Sequence, residues 1–576
     1  MNIHAIINEA FQNTRFTALN GEKPELKEGR LFVPPSLLRG LAEECFRSLA
    51  FYFRESFLAR LAAALADPAS STNDRVSLNA LLKNAVVAAK GKLALCQDTG
   101  TAVIYGWKPE SVFTGADDAA QLEAGTAAAY LKNHLRSSQV APLSFFEEYN
   151  TGNNLPAQIR LEAVPPPFIS GADQGNAGRL SYRFLFAAKG GGSSNKTGLF
   201  AMSKALLEEQ AFEEFLEEKI RSLGAAACPP YRLAVVIGGA SPELNLDILK
   251  LATTEILDRA PYFEEYKGPH PFLLRDRYWE EKAVEIGRKT GIGAQFGGRQ
   301  FLLDARVIRM PRHAASCPVS IGVSCAAHRN MLAYIDRDGI HIEELCRDPG
   351  TFLSARGIGL ADVSGLSESG NVPVRAAERA CSENYRIDLN LPVQDIRSVL
   401  DSQRIGNRLS LCGKLIVARD AAHLKWHELI RAGKELPGYL YRHPIYYAGP
   451  SATPPGMIIG SLGPTTAQRM DPYADELMSR GIALITLAKG NRGTAWTQAC
   501  KKYGGFYLGT IGGAAALPAE ENITACEVLD YPELGMEAVR LIEVKDMTAF
   551  IIVDNKGNEL YRQFAAGVIA SLPANY

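Results

Sequence analysis

Strand-like and helix-like segments alternate through the last third of this 576-residue chain, and that alternation limits the fold more than any other feature. LSLCGKLIVARD reads as a strand and AAHLKWHELIRAG as a helix. MIIGSLG and IALITLAKG read as further strands. The segment after Pro464 through Ser479 and the run TAWTQACKKYG read as helices, and FYLGTIGG reads as the final strand. Such alternation predicts a two- or three-layer α/β domain over residues 385–576.

The length predicts two to four domains of roughly 100–200 residues each. Residues 1–90 read as largely helical, because apolar residues from Leu38 to Ala66 recur at helical spacing. The texture then changes: GKLALCQDTGTAVIYG (91–106) places two apolar runs around a polar turn and predicts strand–loop–strand. RLAVVIGG (232–239) predicts a buried strand. A helix follows it, with Ser241 as cap, Pro242 in its first turn and Glu243 near its positive end. Gly, Pro and Ser with weak periodicity mark 346–384 as a linker, which leaves 1–345 as the N-terminal domain.

Hydrophobic residues at 47% and charged residues at 22% exclude wholesale disorder and collagen-like or coiled-coil chains. A net charge of -1 argues against nucleic-acid and polybasic-membrane partners, while leaving room for a local cationic pocket. MNIHAIINEAFQNTRF has the features of neither a secretory signal nor a transit peptide, and no run approaches a membrane span, so a cytoplasmic location is expected. The 10 cysteines are too few for a disulfide scaffold and contain no CxxC, so a metal site must be assembled from distant segments.

Several segments carry candidate chemistry. KGGGSSNKT (189–197) nearly matches a phosphate-binding loop, but Asn195 stands where Gly is required. A tight turn between strands and a backbone cradle for an anion both stay open. In GPTTAQRMD (463–471), Thr465 and Thr466 fall at an expected helix N-terminus, with Arg469 one turn later. IVARD and LAKGN place Arg419 and Lys489 at the carboxyl ends of strands, where α/β sheets bind ligands. Three cations from three successive units suggest a dicarboxylate pocket. CQDTGT (96–101), ACPPYR (227–232) and PRHAASCPVSIGVSC (311–325) bring Cys96, Gln97, Asp98, Cys228, His313, Cys317 and Cys325 into consideration. Each cysteine alone reads as structural; together they allow a metal site.

Those stretches, with LRSSQVAP, NTGNNLPAQI, GAQFGG, VARDAAH, HPIYYAGP and GGFYLGTIGG, resemble the class I, iron–sulfur-dependent fumarases. The blocks run in family order from about residue 90 to 515. The resemblance implies a mixed α/β architecture: an N-terminal α+β iron–sulfur domain and a C-terminal swivelling α/β domain. It implies a 4Fe–4S cluster on Cys96, Cys228 and Cys325, with Cys317 a buried bystander and one iron open as a Lewis acid. It implies reversible hydration of fumarate to malate, with Thr465 as base and Asp98 and His313 as proton donors or relays. Arg136, Arg419, Arg469, Lys489, Gln97 and a backbone N–H near Gly191 and Gly192 would grip the small dicarboxylate. A homodimer is implied too.

The segment AAHRN after GVSC and the long stretch 161–179 depart from the family pattern. Tartrate and mesaconate therefore stand as alternative substrates, since one methylene is worth only ~1–3 kcal/mol of discrimination. An iron- or redox-sensing protein with a labile cluster is a reading of another class. So is a zinc protein with His313 as fourth ligand.

Overall fold

A computed structural model describes residues 3–165, 180–268, 272–359 and 385–565. The stretch 166–179 and most of the expected linker, 360–384, lie outside them.

Four helices, Ile3–Gln12, Pro35–Phe51, Glu55–Ala66 and Thr72–Ala88, make the first 90 residues helical as expected, with three short strands between the first two. Ser71 and Asp74 form a reciprocal cap at the start of the fourth. The buried Asp74 carboxylate also accepts from Ala294 N at 2.7 Å and Arg299 N at 2.8 Å, which pins the GAQFGG loop to this helix. Gly298, at φ +145°, lies so close that a Cβ there would strike that carboxylate.

Two sheets follow. The six-stranded one runs in the order Phe16–Ala18, Gly339–Glu343, Asn330–Asp336, Tyr182–Lys189, Thr101–Pro109, Gln158–Val164. The five-stranded one centres on the fully buried strand Tyr231–Gly239, flanked by Cys317–Ser324 and Leu302–Arg312. In 91–106 only Thr101–Pro109 becomes a strand, because 92–95 serves as a packed loop whose Leu95 N bonds Ala50 O. The helix after Gly239 begins as expected, with Ser241 accepting from Leu244 N and Pro242 in the first turn.

The third sheet, in the C-terminal part, differs from plain layering. Strands Arg408–Val417, Ile445–Tyr446, Ile485–Ala488 and Phe506–Gly509 pair in parallel. FYLGTIGG is not the final strand: Ile523–Asp530 and the 15-residue Val539–Val553 follow it. Val539–Val553 pairs antiparallel with both Phe506–Gly509 and Arg408–Val417, so five strands close on themselves. MIIGSLG yields only Leu462–Pro464, and the expected helix after Pro464 breaks into a 3₁₀ turn, Ala467–Tyr473, and a short helix, Ala474–Met478. Pro472 explains the break, since it has no N–H for an α-helical bond.

The described start of the expected linker is packed. The start of the linker forms a helix, Pro349–Ser354, with Leu353 fully buried. Two apolar cores run across the boundary. Leu81 and Leu95 share one with Leu415, Val417 and Leu487, and Phe296 stacks on Phe550 at 4.1 Å in the other. A large apolar interface of this kind works against free relative motion of the two parts.

Candidate active site

The three cysteines arrive from three loops, and backbone contacts bring those loops together. Leu95 O accepts from Asn84 Nδ2 at 2.8 Å, which fixes Cys96 at 6% exposure. Cys228 lies at φ +62°, a conformation that costs a non-glycine residue on the order of 1–3 kcal/mol and persists only where surroundings enforce it. Here Gln295 enforces it. Its Nε2 donates to Pro229 O at 3.0 Å and Gly512 O at 2.9 Å, and its Oε1 accepts from Gly512 N at 2.7 Å. Ala326, next to Cys325, donates its N–H to Cys228 O at 3.0 Å. Cys96 lies within electrostatic range of Cys228, Asp98 and Lys489. Cys317 stands at the far end of the strand Cys317–Ser324, away from Cys325.

Lys489 joins the thiols to the C-terminal part. Its Nζ donates to Cys228 Sγ at 2.9 Å. Burial alone would lower the pKa of this ammonium, but the sulfurs of Cys228 and Cys96 outweigh burial and hold it above its ordinary value. Burial pushes the Cys96 thiol up to about 12. Lys489 N donates to Thr465 O at 3.1 Å, and Ala467 N to Lys489 O at 2.9 Å, so Thr465 and Lys489 sit on neighbouring segments. The Arg469 guanidinium donates to Thr465 Oγ1. Gln97 is buried and donates to Pro464 O at 3.2 Å, which packs CQD against GPTT.

Asp98 is held from three sides. Its Oδ2 accepts from Gly191 N at 2.8 Å, its Oδ1 from Gly100 N at 3.2 Å, and its carbonyl from Arg329 Nη2 at 2.8 Å. The Gly191 N–H expected for a substrate is thus used to orient Asp98. Gly192 approaches Ala227 so closely that a Cβ would lie 3.2 Å from its Cα. The anion cradle in KGGGSSNKT therefore serves a protein carboxylate, on a four-residue helix, Gly191–Ser194.

The guanidiniums form one electrostatic group. Arg136 feels Arg419, Asp98, Glu537 and Arg469, and burial together with Arg419 pulls its pKa down to about 10. Arg419 is buried. Its Nε donates to Asp420 Oδ2 at 3.2 Å, and its Nη2 lies 3.0 Å from Glu537 Oε1. Arg469 Nη1 lies 3.5 Å from Asp420 Oδ2.

His313 does not join this group within the chain. It is exposed, in the turn before Cys317, with its Nδ1 accepting from Ala315 N at 3.2 Å. Cys325 follows the other end of the eight-residue strand Cys317–Ser324, roughly 25 Å along at 3.3–3.4 Å per residue. The zinc reading loses its fourth ligand with it.

Sequence reasoning missed Gln295, Arg329, Asp420 and Glu537. The first three lie inside segments already singled out, GAQFGG, AAHRN and VARDAAH; Glu537 lies in none.

Among the described residues, no three His, Cys, Asp or Glu side chains converge as ligands of one metal ion. The candidate ligands are three thiols, Cys96 within electrostatic range of Cys228 and Cys228 of Cys325, with the Asp98 carboxylate near the first two, and thiolate is the donor type that suits an iron–sulfur group. Gly512 packs directly against the second thiol, since a Cβ there would strike Cys228 Sγ. The residues fit the group.

Comparison with known proteins identifies the family. Residues 40–334 match the model of the fumarate hydratase (Fumerase) family, and 363–564 match that of the fumarase C-terminus. "Fumarate hydratase class I, anaerobic" of Escherichia coli K12 is 47% identical over 533 residues, 92% of this chain and 91% of that protein. "Fumarate hydratase 2" of Leishmania major is 45% identical over 559 residues, 96% and 92% respectively. A "putative L(+)-tartrate dehydratase subunit beta" of Methanocaldococcus jannaschii is 34% identical, over only 28% of this chain and 84% of that protein.

Proposed function

The chain belongs to the class I fumarate hydratases, and from that premise we propose that it hydrates fumarate reversibly to (S)-malate with a 4Fe–4S group held by Cys96, Cys228 and Cys325. When bound, the group supplies a Lewis-acidic iron for the hydroxyl that leaves malate. The observation that carries this reading is the contact of Lys489 with Cys228 Sγ, because it joins the thiols to the segment that bears Thr465 and Arg469.

The chain's own residues do the rest. Arg136, Arg469 and Lys489 orient the two carboxylates of the substrate, with Gln97 lining the same seam. Arg419 supports them electrostatically, since two of its donors already point to protein carboxylates. Asp98, fixed by Gly191 N–H and Gly100 N–H, holds or gives the proton that accompanies the hydroxyl. Thr465 takes the proton from the neighbouring carbon, and the Arg469 guanidinium on its Oγ1 stabilises the alkoxide that a free hydroxyl would not form. The buried surroundings strengthen each of these interactions.

Fumarate is preferred to tartrate because the relatives that cover nearly the whole chain are named fumarate hydratases, whereas the tartrate relative covers about a quarter. A cytoplasmic location and a homodimer complete the reading. No described helix is long and apolar enough to cross a membrane. Phe145 and Phe146, 93% and 91% exposed on a hairpin that starts just after Arg136, supply apolar surface suited to a second copy.

Anaerobically reconstituted protein should convert malate to fumarate, followed at the alkene absorbance, and should carry about four irons and matching sulfide per chain. One zinc per chain, or no turnover of malate, would sink the proposal.

A further inference from the structure

The guanidinium group meets three protein carboxylates, and one of them reaches across the two halves of the chain. Glu537 Oε1 lies 3.0 Å from Arg419 Nη2 and 3.9 Å from Arg136 Nη2. Arg419 belongs to the C-terminal part and Arg136 to the N-terminal part. The other oxygen, Oε2, accepts from Ala421 N at 3.2 Å, at the start of the helix Asp420–Arg431. That bond anchors the carboxylate, so its position is set by the helix and not by the arginines alone.

The arginines differ in how many donors remain open. Arg419 has Nε on Asp420 and Nη2 on Glu537, so its bidentate edge is committed to the protein. Arg136, by contrast, keeps a buried Nε without a hydrogen-bond partner among the described residues. Arg136, Arg419, Arg469 and Lys489 therefore face Asp98, Asp420 and Glu537, and the surplus of positive charge is small.

We propose that Glu537 is a specificity-determining residue: by engaging Arg419 and Arg136 across the seam, it limits the donors and charge open to the substrate to what a dicarboxylate needs. A third carboxylate on a longer acid would meet Glu537 at close range and be repelled. The proposal rests on the dicarboxylate reading above and adds its charge selection.

The test uses anaerobically reconstituted enzyme and two ligands, malate as substrate and propane-1,2,3-tricarboxylate as inhibitor. Glu537→Gln keeps an acceptor for Ala421 N–H while removing the charge. It should lower the ratio of the inhibitor's Ki to the KM for malate at least tenfold. Glu537→Asp, which keeps the charge, should retain the wild-type ratio of Ki to KM. If Glu537→Gln does not melt as a folded protein, Glu537→Ala reads the same ratio. An unchanged ratio in the uncharged variants, or a fall in kcat alone, would overturn the proposal. Calorimetric titration with succinate and with the tricarboxylate separates this outcome from failure of the fumarate reading. The Glu537 effect must appear in binding even if the wild-type enzyme does not turn malate over.

Discussion

Lys489 Nζ and Cys228 Sγ stand 2.9 Å apart, although the two residues come from opposite halves of the chain. The pair is buried, with Lys489 9% and Cys228 2% exposed. A charge at such a place is costly to leave without its partner, about 3–5 kcal/mol. Lys489→Met should therefore lower kcat/KM for malate by about 10²–10³-fold, the loss typical of removing one fixed charge donor. Steady-state kinetics at matched iron content check this. Lys489→Arg should not rescue, because a planar guanidinium on a longer stem does not reproduce a compact ammonium 2.9 Å from Cys228 Sγ.

Two cysteines on one strand give the sharpest contrast. Cys317 and Cys325 bracket a strand about 25 Å long, and only Cys325 adjoins the residue that bonds Cys228 O. Cys325→Ser should lose iron and activity. Cys317→Ser should keep both and lose some stability, since Cys317 is 1% exposed in an apolar core. Iron analysis of the two variants decides it, and the reverse pattern would mean that the other thiol is the ligand.

Thr465 depends on Arg469. Thr465→Ala should reduce kcat by at least about 10²-fold with KM for malate changed less than about threefold, because the hydroxyl acts on the carbon proton and not in binding. Thr465→Ser keeps the hydroxyl and should recover most of the rate. A rise in KM with kcat intact would reassign Thr465 to substrate binding.

Local chemistry makes some features legible and tertiary contact hides others. Ser241 and Pro242 announce a helix start from residue type alone, and they form one. Ile485–Ala488 is buried along its whole length, so its apolar run reads as a strand. Val539–Val553 has an irregular burial pattern over its first half and closes the sheet by pairing two strands distant in sequence, which no local pattern encodes. The break at Pro472 is readable from that residue, although the run around it reads as a regular helix. In the site, the cysteines and Arg469 sit in dense motifs. His313 is drawn in by closeness in sequence to Cys317 and Cys325, but an extended strand turns that closeness into distance. Glu537 carries no motif, and its role exists only through Arg136 and Arg419.

Away from the site, Glu559 makes stability depend on pH. The residue is 4% exposed; its Oε2 accepts from Arg562 N at 2.7 Å, and its Oε1 has no hydrogen-bond partner among the described residues. Burial raises the carboxyl from 4.5 to about 7. Below about pH 4.5 it is protonated in both folded and unfolded chains, and no penalty arises. Between that pH and about 7 the unfolded chain releases a proton that the folded chain keeps, so stability falls as pH rises. Above about 7 both are ionised and the full penalty remains, on the order of 3 kcal/mol at about 1.36 kcal/mol per pKa unit. Glu559→Gln keeps an acceptor for Arg562 N–H and removes the charge. It should raise Tm by a few degrees at about pH 8 and by much less at about pH 5. Thermal melts of the two proteins at both pH values test this, and an equal gain at the two would show that packing, not ionisation, is responsible.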